Sequence, residues 1–256
     1  MIQKIKAGAV SYLNTKPLIY GFEQGMMKDE LELVIDYPAR IAELLQEDKI
    51  DIGLVPVAVI PALKEHHIVS DYCIGCDGEV VTVSLFSDVD LQEIETILLD
   101  YQSRTSVELL KILLKEHWKI SPQLITGTEN FEKNITGTTA GLIIGDRAFE
   151  QRTKSKYVFD LGLAWKEMTG LPFVFAAWVS NKKLPGSFIA SFNQATALGF
   201  KHINEIVSLI DSPGYNMLDY YNTNIDYSFD EKKNEALALF LKYITAEKQT
   251  DGVFHG

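Results

Sequence analysis

Apolar and polar positions alternate along this chain in blocks that predict strand, helix, strand. Ile5, Ala7, Ala9 and Val10 form a short apolar run that reads as a strand. The polar stretch Ser11-Tyr12-Leu13-Asn14-Thr15-Lys16 follows, then Pro17. Proline suits the first turn of a helix, where its missing N–H costs nothing, and Asn14 and Thr15 stand where a cap belongs. A second strand is predicted at Leu33–Tyr37 and a helix from Pro38 to Gln46, with Ile41, Leu44 and Leu45 on one face. The nearly continuous apolar run from Ile50 to Val57 has the character of a strand buried on both faces. This is βαβ grammar, and it implies right-handed crossovers and a parallel sheet. A helix over Ala58–Leu63 follows Pro56.

The pattern then restarts. A strand is predicted at Val80–Phe86, and a second alternating set begins at Ile94–Leu99. Helix Thr105–Trp118 comes next, then strands at Gln123–Thr126 and Gly141–Ile144 and a short helix from Asp146. Phe173–Val179 reads as a strand. After Pro185 the segments Ser187–Ile210, Asn216–Tyr221 and Asp230–Thr245 read as helices. The second set sits inside the first, so the expected architecture is α/β with two lobes. Residues 1–86 and 174–256, including the C-terminal helices, form the first lobe, and residues 87–173 form an inserted second one. Ligands of open α/β sheets bind at the carboxyl ends of strands, so a cleft between the lobes is the expected site.

Composition narrows the function classes. The chain has 256 residues, 46% of them hydrophobic, and a formal net charge of −11. That balance argues against a nucleic-acid partner or an acidic membrane surface, either of which needs a basic face. No run of about 18 apolar residues is present, so no membrane-spanning helix is expected. Lys4 and Lys6 lead into a strand pattern and not into a signal peptide, which places the protein in the cytoplasm. Cys73 and Cys76 form a C-x-x-C pair on an extended segment without a second pair of ligands. They read as small buried residues of a reducing compartment, not as a redox or metal site. The five histidines have no ligand spacing, and no metal site is expected.

Three strand ends carry the candidate chemistry. Ser11, Tyr12, Asn14 and Thr15 surround a helix start whose free amides attract anions, although an ordinary capped junction would look the same. Ser103, Arg104, Thr105 and Ser106 combine hydroxyls, a guanidinium and free amides at a second junction, where Thr105-x-x-Glu108 matches a capping box. The competing reading is a well-capped helix with a surface arginine. At the third, Gly145 permits close approach of a ligand, and Asp146 serves either a substrate hydroxyl or a helix cap. Thr82 and Ser84 lie on a predicted crossing strand, where alternation turns both to one face. They are either cleft hydroxyls or buried sheet hydroxyls.

The ordered set Ser11-Tyr12-Leu13-Asn14-Thr15-x-Pro17-Leu18, Asp51-Ile52-Gly53-Leu54-Val55-Pro56-Val57, Ser84-Leu85-Phe86-Ser87, Leu99-Asp100, Ser103-Arg104-Thr105-Ser106, Gly145-Asp146-Arg147-Ala148 and Trp165-x-x-x-Thr169-Gly170-Leu171-Pro172-Phe173-Val174-Phe175 resembles the chorismate dehydratases of the futalosine route to menaquinone. The resemblance covers nearly the whole length. It implies the two-lobed fold of type II periplasmic binding proteins and loss of water from chorismate to give 3-[(1-carboxyvinyl)oxy]benzoate, with no cofactor or metal. The partner it implies is a small dicarboxylate. It also implicates Asn14 in catalysis, and it maps a hydroxyl of the crossing strand to Thr82 or Ser84. An amide is a poor base, so orienting the substrate or its leaving hydroxyl is the physically safer role for Asn14. Two other readings share the fold: a solute-binding protein for a small carboxylate, and the related 1,4-dihydroxy-6-naphthoate synthase. The N-terminal Ser-Pro-Cys-Pro-Asn-Asp-Thr signature of the synthase is absent here.

Overall fold

The computed structural model describes residues 4–211 and 214–251, with side chains to residue 246. In chain order the strands among these residues are β1 (Ile5–Val10), β2 (Leu31–Asp36), β3 (Ile52–Pro56), β4 (His67–Cys76), β5 (Val83–Ser87), β6 (Thr96–Leu99), β7 (Gln123–Thr126), β8 (Thr139–Ile144), β9 (Tyr157–Asp160), β10 (Phe173–Ser180) and β11 (Asp226–Ser228). They form a six-stranded sheet in the order β11-β4-β10-β3-β1-β2 and a five-stranded sheet in the order β7-β6-β8-β5-β9.

Contacts divide the chain into two compact units. One comprises Met1–Gly75 and Phe175–Phe229, the other Cys76–Val174 and Asp230–Gly256. The first boundaries thus fall at 75/76 and 174/175, where the sequence suggests 86/87 and 173/174. The C-terminal helix Glu231–Asp251 groups with the second unit, whereas the sequence reading assigns it to the first lobe. The reason is aromatic packing. The Phe240 ring lies 5.1 Å from that of Phe173 and 6.3 Å from that of Trp165, both near-perpendicular. All three rings are buried, and such edge-to-face contacts add about 0.5–1.5 kcal/mol each beyond area burial.

In the first unit, β1 pairs in parallel with β2 and β3, as the βαβ pattern predicts, and β10 pairs antiparallel to β3. All five residues of β3 are buried. Helix Lys16–Glu23 packs against helix Gly186–Lys201 at backbone distance. A Cβ on Gly199 would stand 1.9 Å from the Pro17 carbonyl oxygen, and one on Gly21 would stand 2.0 Å from that of Ala195. No side chain can move to relieve a clash with backbone. Gly199→Ala is therefore expected to lower unfolding free energy by about 1–3 kcal/mol, the usual cost of overpacking, read as a lower urea midpoint. An unchanged midpoint would show that the two helices can separate freely.

In the second unit, β7, β6 and β8 run parallel, and β5 lies antiparallel between β8 and β9. Phe86, Phe131, Ile143 and Ala148 form its buried centre. Three sequence expectations shift locally. Helix Thr105–Trp118 begins at Arg104 and changes at Leu113 to a wider π-helical turn through Trp118. The helix expected at Ala58–Leu63 is a 3-10 segment, Val57–Ala62, with Pro61 inside it. The strand expected from Val80 starts at Val83, because Val80–Thr82 forms a tight turn. Cys73 and Cys76 are buried, as expected, and form no disulfide among the described residues.

Candidate functional site

The first unit presents its polar segment at the carboxyl end of β1. Leu13–Thr15 is one 3-10 turn that runs directly into helix Lys16–Glu23, with Pro17 in the first turn. The expected cap is not made: Thr15 is itself helical, and neither Tyr12 nor Thr15 caps with its side chain. Thr15 is fully buried, and its hydroxyl donates weakly (3.4 Å) to Asn14 Oδ1. The Asn14 amide nitrogen has no hydrogen-bond partner among the described residues, and the half-buried side chain keeps both its N–H groups to offer. Ser11 is exposed, and Tyr12 half-buried.

Two tyrosines that the sequence does not mark as site residues fix this segment. The Tyr221 hydroxyl donates to the Leu13 carbonyl and the Tyr227 hydroxyl to the Asn14 carbonyl, each at 2.8 Å. Burial, then the neighbouring Tyr220 and Tyr221, push the Tyr227 phenol well above its ordinary value, so it stays a proton donor at any physiological pH. Asn14 is thus held by its backbone while its side-chain amide stays available. No local pattern ties residues 221 and 227 to residue 14, which is why the sequence alone does not find them.

The second unit gathers the other candidates at one end of its sheet. β6 and β8 are parallel neighbours, so the segments leaving them, Asp100–Ser106 and Gly145–Arg147, emerge side by side. Ser103 is the N-cap of helix Arg104–Ile112, and its hydroxyl accepts the Ser106 N–H at 3.0 Å. The capping box expected at Thr105 and Glu108 is not formed, since Glu108 pairs with Lys111. Thr105 and Ser106 are buried. Arg104 is exposed and has no hydrogen-bond or ion-pair partner among the described residues. On a chain of net charge −11, an unpaired guanidinium at a helix start is a local anion attractor.

Asp100 ties the two segments together. It accepts the Gln102 N–H at 2.9 Å, the Ile144 N–H at 3.1 Å and an Arg147 N–H at 2.6 Å. Burial pushes its carboxyl up, against the pull of the Arg147 guanidinium. Arg147 also pairs with Glu132 at 2.5 Å and lies over the rings of Tyr101 and Phe131, at 5.7 and 6.0 Å. Sequence reading quotes Asp100 and Arg147 only as parts of motifs. Their pairing follows from the β6–β8 register, which spacing alone cannot give.

The remaining candidates are also placed. Gly145 adopts a positive φ of 66°, and its N–H donates to the Thr82 carbonyl at 2.9 Å. Asp146 precedes helix Arg147–Arg152 without capping it through its side chain. Thr82 lies outside β5, so the alternation that paired it with Ser84 does not hold. Both are buried. The Ser84 hydroxyl is engaged by Asp160 at 3.5 Å and by Arg152 at 3.3 Å. Among the described residues no group of three or more His, Cys, Asp or Glu is arranged to hold a metal ion.

Comparisons with known proteins agree with this architecture. The chain is 26% identical to a protein of Thermus thermophilus named chorismate dehydratase, over 91% of this chain and 92% of that one. Its fold is similar to that of protein AF1704 from Archaeoglobus fulgidus, with a TM-score of 0.73 and 14% identity over 96% of this chain and 98% of that one. It is also similar to the periplasmic aliphatic sulphonate binding protein SsuA from Escherichia coli, with a TM-score of 0.65 and 14% identity over 98% and 88%. These two likenesses fix the fold as periplasmic-binding-protein-like and say nothing of function. Residues 5–246 match the family described as menaquinone biosynthesis, which covers both polar strand ends and nearly the whole chain, and the protein belongs to that family.

Proposed function

We propose that this protein is a chorismate dehydratase, a carbon–oxygen lyase that removes water from chorismate to give 3-[(1-carboxyvinyl)oxy]benzoate. The observation that carries the reading is the match, along nearly the full length, to a relative of that name within a menaquinone biosynthesis family. The cytoplasmic placement expected from the sequence goes with this reading. No described helix is long and apolar enough to cross a membrane.

The chemistry suits the groups available. In chorismate the ring carbon that bears the enolpyruvyl ether carries a proton made acidic by the ring carboxylate through the conjugated double bond. Its removal sends an electron pair into the ring, the neighbouring C–O bond breaks, and hydroxide leaves with a proton as water. The gain is an aromatic ring. The protein's tasks are to hold two carboxylates, stabilise charge delocalised onto the ring carboxylate, and orient the leaving hydroxyl. In this reading Arg104, with the helix start at Ser103, Thr105 and Ser106, takes a carboxylate. The Asn14 amide donates to the departing hydroxyl, with Ser11, Tyr12 and Thr15 beside it. Asp146 and the Gly145 peptide border the substrate, and Thr82 or Ser84 supplies the hydroxyl near it. The enolpyruvyl carboxylate of the substrate itself serves as the base.

The direct test is purified protein with chorismate, without metal or nucleotide, followed by mass and ultraviolet absorbance for loss of one water. Chorismate bound but unchanged would favour a solute-binding role instead. Arg104→Met is expected to raise KM for chorismate about 10- to 100-fold, the worth of one charge-assisted hydrogen bond, with a smaller effect on kcat. An unaltered KM would remove Arg104 from the site.

A further inference from the structure

Val81 is fully buried and holds φ at +70°, a conformation that a β-branched side chain strongly resists. The Thr82 N–H donates to the Val80 carbonyl at 2.8 Å, which closes a γ-turn of the strained, positive-φ kind around Val81. Backbone strain of this sort persists only where surrounding groups over-determine it. Here they do. The Asp160 carboxylate accepts the Val80 N–H at 3.1 Å and the Val81 N–H at 2.8 Å, and also the Gly162 and Leu163 N–H groups at 3.0 and 3.1 Å. From a different element, Arg152 donates to the Val81 carbonyl at 3.2 Å and to the Ser84 hydroxyl at 3.3 Å, while its other nitrogen pairs with Glu79. The next carbonyl along, that of Thr82, accepts the Gly145 N–H at 2.9 Å. Two positive-φ residues, Val81 and Gly145, are therefore linked through Thr82, next to Ile144, whose N–H Asp100 accepts.

We propose that Asp160 and Arg152 are positioning residues, which clamp the strained turn at Val81 so that Thr82 and the Gly145 peptide are held in place for the reaction. The inference rests on the dehydratase reading above. It assigns a role to two residues through the turn they hold: one grips it by its N–H groups, the other by its carbonyl. A simple structural network needs no strained residue at its centre, since a glycine at position 81 would take the same backbone without resistance.

That contrast supplies the experiment. Arg152→Met is compared with Val81→Gly and with the double variant Val81→Gly/Arg152→Met, by chorismate turnover well below each melting temperature and by hydrogen exchange of the Gly145 amide. Arg152→Met is expected to lower kcat at least 10-fold with KM within about 3-fold, and to speed exchange at Gly145 by a similar factor. The double variant is expected to recover several-fold in both, because the glycine needs no clamp to reach its φ. A double variant no better than Arg152→Met overturns the proposal, as does faster exchange with unchanged kcat, which would leave the clamp purely structural. Unsubstituted protein that fails to turn over chorismate sinks the dehydratase reading instead. In that case unchanged exchange at Gly145 in Arg152→Met would independently sink the clamp.

Discussion

Replacing Asn14 with alanine is expected to cut the turnover of chorismate about 10²- to 10³-fold, with melting temperature and KM close to those of the unsubstituted protein. The magnitude is that of losing one preorganised donor to a group on which charge develops in the transition state. The stability forecast follows from the packing. Among the described residues the side-chain amide nitrogen has no partner to lose, and its oxygen receives a 3.4 Å contact from Thr15. The segment is held by Tyr221 and Tyr227 through backbone carbonyls that alanine keeps. A loss confined to kcat would separate orientation of the leaving hydroxyl from substrate binding. Asn14→Asp sharpens the test: a carboxylate cannot donate, so it should be no better than alanine if donation is the role, and better if a base is needed. Full turnover by Asn14→Ala would remove this loop from catalysis.

Arg147→Met is expected to destabilise the protein by about 3–5 kcal/mol at neutral pH, and by less on acidification. The loss is that of breaking a buried ion pair from one side. The Asp100 side chain is 0% exposed, and without Arg147 its charge retains, among the described residues, the Gln102 and Ile144 N–H groups. The sign of the pH dependence follows from linkage. Burial already raises the Asp100 carboxyl, and removing the guanidinium that opposes this raises it further. A folded state that binds the proton more tightly than the unfolded chain loses stability as pH rises through the folded pKa and regains it below. Urea midpoints measured at pH 7.5 and at pH 5 should therefore differ less from the unsubstituted protein at the lower pH. Arg147→Met/Asp100→Asn should recover much of the loss at pH 7.5. A gap of the same size at both pH values would mean that Asp100 does not carry it.

Much of the molecule is legible in the chain because its signals are local. The apolar run at Ile52–Pro56 is as buried as its composition demands. The polar strand ends at Ser11–Thr15, Asp100–Ser106 and Gly145–Arg147 fall where apolar runs stop, and that is a matter of pattern alone. What the chain hides is register and strain. Spacing cannot tell that β6 and β8 are parallel neighbours, hence that Asp100 meets Arg147. Nor can it show that Val81 breaks the strand read through Val80–Phe86, because a valine in a positive-φ turn contradicts the preference any local rule relies on. The grouping of the C-terminal helix is hidden for a related reason. Its place is decided by Phe240 meeting Phe173 and Trp165, across more than sixty residues of sequence.

The two tyrosines that fix the Asn14 loop have a consequence for how the protein is made. Tyr221 and Tyr227 stand 208 and 213 residues beyond the carbonyls they hold. Ribosomes deliver chains from the N-terminus, so the loop emerges more than two hundred residues ahead of its fasteners. Contacts of that separation form late and slowly, after the closure of a very long loop. Nascent chains ending before residue 221 would carry every residue of the loop and lack both tyrosines that fix it. Synthesis through Tyr227 is in this sense a condition for the Asn14 segment to acquire its working shape.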